Sequence, residues 1–328
     1  MWHDYDLEMF QDQRVAVVVP CYKVAAHLPA VLRAMPPLVD LVVVVDDGSP
    51  DDIAGAAASV GDTRVEVLRH DDNLGLGAAM ITGYEHALGR GADIVVKMDG
   101  DGQMDHAHLP RLLRPIASGE ADLTKGNRFL RRRHLGGMPV LRRLGNVALS
   151  FLTKIASGYW NVFDPTNGFV AVRRQLLEEI ELSRLGPGYF FESSLLCEAY
   201  LAGAVAQDIS IPSRYRGEQS SLSLGRTVAT FPVWLVRAFV RRIAFQHFVR
   251  DFTPVALFLV SGVALTLFGS AFGLQNWLAR AGTGEPTPTG TIVLALLPLV
   301  VGLQLILQAI VMDIGSVPAR SPWRTRED

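Results

Sequence analysis

Residues 41–49 read LVVVVDDGS, a run of five apolar residues that ends in two carboxylates, a glycine and a serine. A run of this kind, bounded by turn residues, is typical of a strand covered on both faces of a parallel sheet. Similar runs lie on either side of it, separated by helix-like stretches, which predicts βαβ units and an α/β fold. The predicted strands are Val15–Val19, Leu41–Val45, Val65–Leu68 and Ile94–Met98, and the predicted helices are Ala25–Met35, Asp51–Ser59 and Gly77–Leu88.

The following part of the chain, to about residue 223, has weaker patterns. Strand-like runs at 122–125, 169–172 and 205–211 alternate with helical stretches. We therefore expect a mixed arrangement that completes one soluble domain over residues 1–225. In such open sheets ligands bind beyond the carboxyl ends of the strands, which makes those ends the first place to look for a site.

The last third of the chain contains two long stretches without a charged residue. Phe252 to Ala279 and Pro286 to Met312 each exceed the roughly 20 residues that a helix needs to cross a bilayer. They predict a transmembrane hairpin within residues 251–328, with spans at about 252–278 and 290–313 and a short tail. Residues 226–250 mix aromatic, aliphatic and arginine side chains, which is typical of a basic amphipathic helix at the membrane interface.

Arginines are concentrated at the outer ends of the two predicted spans. Four of them (Arg237, Arg241, Arg242 and Arg250) precede the first span and three (Arg320, Arg324 and Arg326) follow the second, whereas only Arg280 lies between the spans. This distribution predicts that both termini and the soluble domain of residues 1–225 are cytoplasmic. The two cysteines are accordingly interpreted as small buried apolar groups and not as a disulfide. The net charge of −2 excludes an overall basic field for nucleic acid.

A pair of carboxylates, Asp99 and Asp101, follows the fourth predicted strand with Gly100 between them. Carboxylates at this spacing on a turn can share a hard divalent cation, Mg²⁺ or Mn²⁺, which prefers oxygen ligands and keeps positions open for substrate phosphates. Gln103 would add a carbonyl oxygen to the metal or bond to phosphate. Aspartate and glycine are also ordinary turn residues, so this motif alone does not establish a metal site.

Two other strand ends carry polar and glycine-rich turns. Asp46 and Asp47, with Gly48, offer carboxylates to a nucleobase or a ribose hydroxyl, although such a turn also caps helices. Asn73, Gly75 and Gly77 precede and open a predicted helix, and small residues there allow close backbone approach by an anion. Met80 stands where a dinucleotide-binding fingerprint requires a third glycine, so this is not such a fingerprint.

Five motifs in order resemble the family 2 glycosyltransferases of GT-A fold, specifically the branch that acts on polyprenyl phosphates and includes dolichol-phosphate mannose synthase. They are residues 17–22 (VVVPCY), 46–49 (DDGS), 73–79 with Gly83 (NLGLGAA), 99–103 (DGDGQ) and 125–129 (KGNRF). Weaker similarity continues through residues 164–169, 188–192 and 216–222. The resemblance thus covers nearly all of the predicted soluble domain, to about residue 225.

The resemblance implies roles for individual residues. The nucleotide-sugar pocket would include Pro20, Tyr22, Asp46, Asp47, Gly48, Asn73, Gly75, Gly77 and Asp99, and the metal ligands would be Asp99, Asp101 and Gln103. Arg128 and Arg216 would meet phosphate charge, with Ser221 nearby, and Asp164 and Glu192 would orient hydroxyls of the acceptor or donor or serve only structural hydrogen bonds. The family usually has Asn-Glu where this chain has Lys23 and Val24, and the mannose synthases tend to have Lys near Ser221, which leaves the base and the sugar open.

A phosphate acceptor is favoured because no general base is evident in the sequence. A sugar hydroxyl needs a positioned carboxylate to take its proton, whereas a phosphate monoester is already an oxyanion at neutral pH. The basic cluster of Arg131, Arg132 and Arg133 is a candidate site for the lipid phosphate, and it is equally well interpreted as a solvated run of charge.

Together these patterns predict inverting, metal-dependent transfer of a mannose- or glucose-type sugar from a GDP- or UDP-sugar to a polyprenyl phosphate at the cytoplasmic membrane face. Two alternatives stay open. One is a membrane glycosyltransferase with a hydroxyl acceptor in polysaccharide or glycolipid synthesis, which needs a base. The other is a non-catalytic membrane scaffold, in which decay of the metal carboxylates is expected, although Asp99 and Asp101 are both present. A homo-oligomer is compatible with the Gly- and Ala-containing spans.

Overall fold

The computed structural model describes residues 12–130, 140–164, 167–186, 188–212, 224–282 and 286–324, without the side chains at 140–144, 189 and 224–230. The chain forms two compact units, one of residues 1–239 with 318–328 and one of residues 240–317. The strands are β1 Val15–Cys21, β2 Leu41–Asp47, β3 Val65–His70, β4 Ile94–Lys97, β5 Leu123–Asn127, β6 Val170–Arg173 and β7 Ala206–Ser210. The helices are α1 Leu28–Arg33, α2 Ile53–Ala58, α3 Leu76–Gly89, α4 Leu109–Ala117, α5 Val140–Ser157, α6 Arg174–Glu179, α7 Phe191–Leu201, α8 Leu224–Ala244, α9 Pro254–Arg280 and α10 Thr289–Ile314.

The first unit is built on one seven-stranded sheet in the order β3-β2-β1-β4-β6-β5-β7. Strand β6 runs antiparallel to both of its neighbours, and the other pairings are parallel. The carboxyl ends of six strands and the beginning of β6 therefore lie along one edge. This is the mostly parallel, mixed sheet with covering helices that the sequence predicts.

Valine-rich strands form the core of this sheet. All side chains of β2 are buried, and in β1 only Pro20 is partly exposed, as expected for strands covered on both faces. Helix α3 packs closely against β1, since a β-carbon at Gly83 would lie 2.2 Å from Val18 Cγ1. Both cysteines are buried and free, and burial raises the pKa of the Cys21 thiol well above its ordinary value.

The predicted strands and helices of the first half are confirmed, with shifts at their ends. Each of β1, β2 and β3 continues two residues beyond its prediction, into the turn residues themselves. Helix α2 begins only at Ile53, because the Asp52 side chain caps it by accepting a hydrogen bond from the Gly55 amide at 2.8 Å. The predicted start of this helix at Asp51 is therefore two residues too early.

The chain returns to the first unit after the hairpin. Ser321 Oγ donates to Asp122 Oδ1 at 2.6 Å, immediately before β5. Asp122 is fully buried, accepts from the Val205 amide at 2.8 Å and forms an ion pair with Arg173 at 3.4 Å. The tail thus contacts the edge of the sheet that lies opposite the edge formed by the carboxyl ends of most strands.

The second unit contains two long apolar helices. Helices α9 and α10, of 27 and 26 residues, are long and apolar enough to cross a membrane, and they match the predicted spans within two residues at each end. Their closest approach is at glycines: a β-carbon at Gly302 would lie 2.6 Å from the Thr266 amide, and one at Gly269 would lie 2.6 Å from the Ala295 carbonyl. These small residues therefore pack the two helices against each other within one chain.

The segment predicted as an amphipathic helix is α8, followed by a π-helical turn over Phe245–Arg250. Phe231 and Leu235 are buried one turn apart and contact Phe190 of the first unit's core, while Val233 and Val236 on the other side are exposed. Arg237 is exposed as expected, but Arg242 is fully buried. Arg242 therefore does not belong to the exposed polar face that a basic amphipathic helix would present to the membrane interface.

Candidate active site

The edge formed by the carboxyl ends of the strands collects the acidic and glycine-rich turns. Parallel pairing of β1 with β2 and β4, and of β2 with β3, brings the turn after each of these four strands to that edge. The antiparallel β6 begins there, just after Asn167 and Gly168. Strand β5 ends there at Asn127, next to Arg128. Motifs that are far apart in the sequence thus share one face of the fold.

Gly48 allows the turns after β2 and β3 to touch. Its φ is +61°, and a β-carbon there would lie 2.4 Å from the Asp72 carbonyl carbon and 2.6 Å from the Asn73 nitrogen. An L-residue would have to adopt the left-handed conformation and also push backbone aside. The glycine of the DDGS motif is therefore required by geometry.

We expect Gly48→Ala to lower the free energy of unfolding by about 3 kcal/mol or more, the sum of left-handed strain and overpacking. Gly61→Ala is the matched control, because Gly61 has a φ of +69° and open space around its β-position. It should cost only about 1 kcal/mol. Urea unfolding of the two variants in detergent checks this, and equal losses would show that the contact with Asp72 is unimportant.

Asp47, a predicted nucleotide contact, already has protein partners on both oxygens. Oδ1 accepts from the Leu74 amide at 2.9 Å and contacts His70 Nδ1 at 2.8 Å, and Oδ2 accepts from the Gly75 amide at 2.8 Å. Its carboxylate therefore holds the turn that precedes α3. A direct contact between Asp47 and nucleotide stays a prediction, whereas its role in shaping the pocket follows from these bonds.

The other predicted residues of the pocket lie around this turn. Asp46 is buried, accepts from the Ser49 amide at 2.8 Å and pairs with Arg69 at 3.2 Å. Tyr22, immediately after β1, is 43% exposed, and the Lys23 ammonium lies 5.1 Å from its ring centroid. Pro20 is half-buried, Asn73 is exposed, Gly75 is the residue before α3 with a φ of +90°, and Gly77 is buried in its first turn.

Asp99 and Asp101 lie on the turn after β4. Asp101 Oδ1 accepts from the Gln103 amide at 2.9 Å, so Asp101 and Gln103 belong to one compact turn. Asp99 Oδ1 is bound by the Lys97 ammonium at 2.6 Å, which leaves Oδ2 for another partner. Two carboxylates on one turn supply oxygen ligands of the kind that Mg²⁺ or Mn²⁺ prefers, so these residues fit a divalent metal. Among the described residues there is no cluster of three or more His, Cys, Asp or Glu that would hold a metal alone.

Arg128 and Asp164 form a bidentate ion pair at the end of β5. Arg128 Nε and one terminal nitrogen donate to the two Asp164 oxygens at 2.7 and 2.6 Å. Asp164 is fully buried and has a φ of +59°, a conformation that non-glycine residues rarely adopt. This strained position aims its carboxylate at Arg128 and fixes the guanidinium, which is 18% exposed, at the sheet edge.

Glu192 opens α7 and is buried, with one oxygen 3.1 Å from the Lys97 ammonium. A second buried lysine, Lys125 on β5, donates to the Asn167 carbonyl. Burial lowers the pKa of Lys125 to about 8, although the nearby carboxylates of Glu192 and Asp164 oppose this shift. Two lysines and their carboxylates therefore lie beneath the predicted site.

Asp208, on β7, has an unusual carboxyl group. Its Oδ2 accepts from Asn127 Nδ2 at 2.5 Å and from the Phe163 amide at 2.8 Å, while Oδ1 is buried without a hydrogen-bond partner among the described residues. Burial raises the pKa of Asp208 from 3.8 to about 6, and the two hydrogen bonds offset only part of this effect.

This shift predicts a pH dependence of stability. Between about pH 4 and 6 the folded carboxyl keeps its proton while the unfolded one loses it, so its contribution to stability falls as pH rises. Asp208→Asn cannot ionise, and we expect its stability relative to the native chain to improve by up to about 3 kcal/mol across that window. Urea unfolding at pH 4.5, 6 and 7.5 measures this, and a pH-independent difference would contradict it.

Several predicted residues of the acceptor site, Arg131, Arg132, Arg133, Arg216 and Ser221, lie outside the described residues. Their assignment to the acceptor phosphate stays a prediction. The aromatic residues Phe190 and Phe191 are buried in the core, so they do not offer exposed rings for base stacking.

A family model described as Glycosyl transferase family 2 matches residues 16–181, which is half of the chain. The chain belongs to glycosyltransferase family 2. The matched segment contains all of the turns after β1 to β5 that form the candidate site. The protein is therefore a glycosyltransferase of GT-A fold, and the interpretation as a non-catalytic scaffold is set aside.

Curated relatives of this family 2 glycosyltransferase include proteins named for lipid phosphates. The chain is 33% identical to the undecaprenyl-phosphate mannosyltransferase of Micrococcus luteus over 231 residues, which cover 67% of this chain and 93% of the relative. It is 33% identical to the polyprenol monophosphomannose synthase of Mycolicibacterium smegmatis over 211 residues, or 61% of this chain and 77% of the relative. It is 28% identical to the dolichol-phosphate mannosyltransferase of Pyrococcus furiosus over a segment that covers 66% of this chain and 60% of the relative.

Solved structures support the fold of this glycosyltransferase. Glucosyl-3-phosphoglycerate synthase from Mycobacterium tuberculosis in complex with UDP matches with a TM-score of 0.55 and 22% identity over 74% of this chain and 84% of that chain. The same enzyme with Mn²⁺, UDP and glucosyl-3-phosphoglycerate matches with a TM-score of 0.53 and 22% identity. This match covers 74% of this chain and 86% of that chain. At this identity the likeness establishes the fold alone.

Two residues of this glycosyltransferase's candidate site, Lys97 and Asp208, were not predicted from the sequence. Lys97 is the only charged residue in β4, and a charge within an otherwise apolar central strand was a detectable signal. Asp208 lies on β7, whose side chains show no regular alternation of burial, and its partner Asn127 is 81 residues away in the sequence. No local sequence pattern predicts the contact between Asp208 and Asn127.

Proposed function

We propose that this glycosyltransferase moves a mannose- or glucose-type sugar from a GDP- or UDP-sugar to a polyprenyl phosphate, with a divalent metal and inversion at the anomeric carbon. The observation that carries the proposal is the pair Asp99 and Asp101 on the turn after β4, in a chain that also has two helices apolar enough to span a membrane. The names of the relatives from Micrococcus and Mycolicibacterium support polyprenyl phosphate as the acceptor.

Asp99 and Asp101, with Gln103, would hold Mg²⁺ or Mn²⁺. A metal held there would supply positive charge for the departing diphosphate. The neighbouring structures that contain UDP with Mn²⁺ or Mg²⁺ support a divalent metal in this fold. The nucleotide would lie between the turns after β1, β2 and β3, where Asp47 holds the Leu74–Gly75 turn in place and Tyr22 offers an exposed ring.

The chemistry needs no proton transfer if the acceptor is a phosphate. A phosphate oxygen, already ionised, forms a bond to the anomeric carbon while the bond from that carbon to the diphosphate breaks, and the nucleoside diphosphate leaves with the electron pair. Arg128, held by Asp164, supplies positive charge at the sheet edge for the anionic groups. Placement and charge compensation then account for catalysis.

The paired carboxylates at this edge support a phosphate acceptor. Asp164 is bound to Arg128 and Glu192 to Lys97, so neither is arranged to remove a proton from a hydroxyl. A hydroxyl acceptor is the second candidate, because Asp208 has a pKa near 6 at the same edge and would serve as its base. Asp208→Asn separates the two: transfer should fall by orders of magnitude only if Asp208 is the base.

The arginine distribution supports a cytoplasmic orientation of both termini. Arg237, Arg241 and Arg250 precede the first long helix, and Arg320 and Arg324 follow the second, with Arg280 alone between them. Cysteine labelling of single-cysteine variants at the tail and at the turn between the helices tests this orientation. Labelling of the tail by an impermeant reagent added to sealed right-side-out vesicles would contradict it.

The direct test incubates the purified protein with Mg²⁺ or Mn²⁺, undecaprenyl phosphate and a panel of GDP- and UDP-sugars, followed by solvent extraction and mass spectrometry. We expect a glycosylated lipid phosphate with one donor of the panel. The same reactions with undecaprenol, which lacks the phosphate, are the control and should yield no product. Equal transfer to undecaprenol would refute the phosphate acceptor, and no product with any donor would refute the proposed reaction.

A further inference from the structure

Lys97 places a positive charge in the middle of the sheet. It is the last residue of β4, which is hydrogen-bonded to β1 on one side and β6 on the other, and its side chain is 1% exposed. A charge buried at this depth costs several kcal/mol unless opposite charges compensate it. Its neighbours in the structure therefore determine what it does.

The Lys97 ammonium is shared by two carboxylates. It donates to Asp99 Oδ1 at 2.6 Å and lies 3.1 Å from Glu192 Oε1. The ion pair joins Lys97 to the first carboxylate of the predicted metal site.

Gly168 makes room for this arrangement. A β-carbon at position 168 would lie 2.2 Å from the Lys97 nitrogen and 2.9 Å from Asp99 Oδ2. No larger residue fits without displacing the ion pair. The beginning of β6 is therefore shaped around the contact between Lys97 and Asp99.

This contact changes what Asp99 offers to a metal. One of its oxygens is occupied and its charge is partly compensated, so the turn presents less negative charge than its two carboxylates suggest. A divalent cation then lacks sufficient ligands and charge from the described residues alone. A nucleoside diphosphate supplies both, through its phosphate oxygens.

We propose that Lys97 is a positioning residue that holds Asp99 as a single-oxygen ligand and makes divalent-metal binding dependent on a nucleoside diphosphate. This inference rests on the proposed metal-dependent transfer and explains how the metal and the donor would enter the site together. It assigns Lys97 no contact with substrate.

The test measures Mn²⁺ binding to the full-length protein in detergent by electron paramagnetic resonance, with and without GDP or UDP. We expect the unmodified chain to bind Mn²⁺ at least about tenfold more weakly alone than with the preferred nucleoside diphosphate. In Lys97→Gln, which retains a hydrogen-bond donor but no charge, we expect affinity for Mn²⁺ alone to rise about tenfold or more, because removal of a nearby unit charge strengthens cation binding.

Glu192→Gln is the control, since it removes the charge of the second carboxylate that contacts Lys97 without changing the size of the side chain. It should not raise affinity for Mn²⁺ alone, whereas a purely structural role of Lys97 predicts that both variants weaken binding. Circular dichroism and thermal unfolding verify that each variant is folded.

The outcomes separate this inference from the proposed function. Equal Mn²⁺ affinity of the unmodified chain with and without nucleotide overturns the role of Lys97, and this result needs no variant. Unchanged or weaker binding of Mn²⁺ alone by folded Lys97→Gln overturns it as well. An unmodified chain that binds no Mn²⁺ under any condition overturns the metal-dependent function together with the inference.

Discussion

Asp101→Asn is expected to lower sugar transfer by about 100-fold or more. Asparagine keeps the size of the side chain and an oxygen that can accept the hydrogen bond from the Gln103 amide, seen at 2.9 Å, so the turn should survive. The change removes one of the two carboxylates proposed to hold the metal. Since a bound metal contributes several kcal/mol to such reactions and each 1.4 kcal/mol is a factor of ten, a large loss follows.

The measurement is the initial rate of lipid-linked sugar formation as a function of Mn²⁺ concentration. The variant should require more Mn²⁺ and reach a lower maximal rate. Glu179→Gln is the matched control, because Glu179 is an exposed carboxylate at the end of α6, which follows the carboxyl end of the antiparallel β6 on the far edge of the sheet. Native activity in Asp101→Asn would remove Asp101 from the metal site.

The second large effect is expected at Asp313, near the end of α10. Its two oxygens bind the fully buried Arg242 at 2.6 and 2.9 Å, and Oδ1 also lies 3.1 Å from His247 Nε2. His247 Nδ1 contacts Thr253 Oγ1 at 2.8 Å, at the start of α9. The cluster thus ties the end of α8, the π-helical turn and the beginning of α9 to the end of α10.

We expect Asp313→Ala to lower the free energy of unfolding of the second unit by about 3–5 kcal/mol, because it leaves a buried guanidinium without its carboxylate. Asp251→Ala is the control, since Asp251 is an exposed carboxylate just before α9 and should change stability by less than about 0.5 kcal/mol. Denaturant unfolding in detergent micelles measures both.

A double variant tests whether the charge itself is responsible. Arg242→Met together with Asp313→Ala removes both charges, so its loss should be smaller than the sum of the two single losses. Additive losses would mean that the ion pair contributes little and that packing at these positions explains the effect.

The first half of the fold follows from local patterns. The apolar runs at β1 to β4 predict buried parallel strands, and the structure confirms four parallel strands to within two residues. The expected burial is wrong for β3, which is an edge strand without a fully buried side chain. The turn after each strand then lies at one edge, because parallel pairing leaves no other arrangement for strand ends. For this reason the DDGS, glycine-rich and DGD turns were correctly expected near one another.

The second half was less predictable. Strands β5, β6 and β7 have five, four and five residues, too few for a pattern that reveals direction, and β6 proves to be antiparallel. The role of Asp47 in holding the Leu74–Gly75 turn was also not foreseeable, since it depends on backbone amides placed by another loop.

The DGD turn illustrates the difference between what the sequence predicts and what only the folded structure determines. The sequence by itself determined the α/β class, the two long apolar helices and the positions of the acidic turns, because these follow from the order of neighbouring residues. Only the tertiary structure decided that Asp99 meets Lys97 and Glu192, that Arg128 meets Asp164 across 36 residues, and that Arg242 meets Asp313 across 71. A buried charged side chain is stable only beside a group of opposite charge, and folding alone brings such groups together when they are far apart in the sequence.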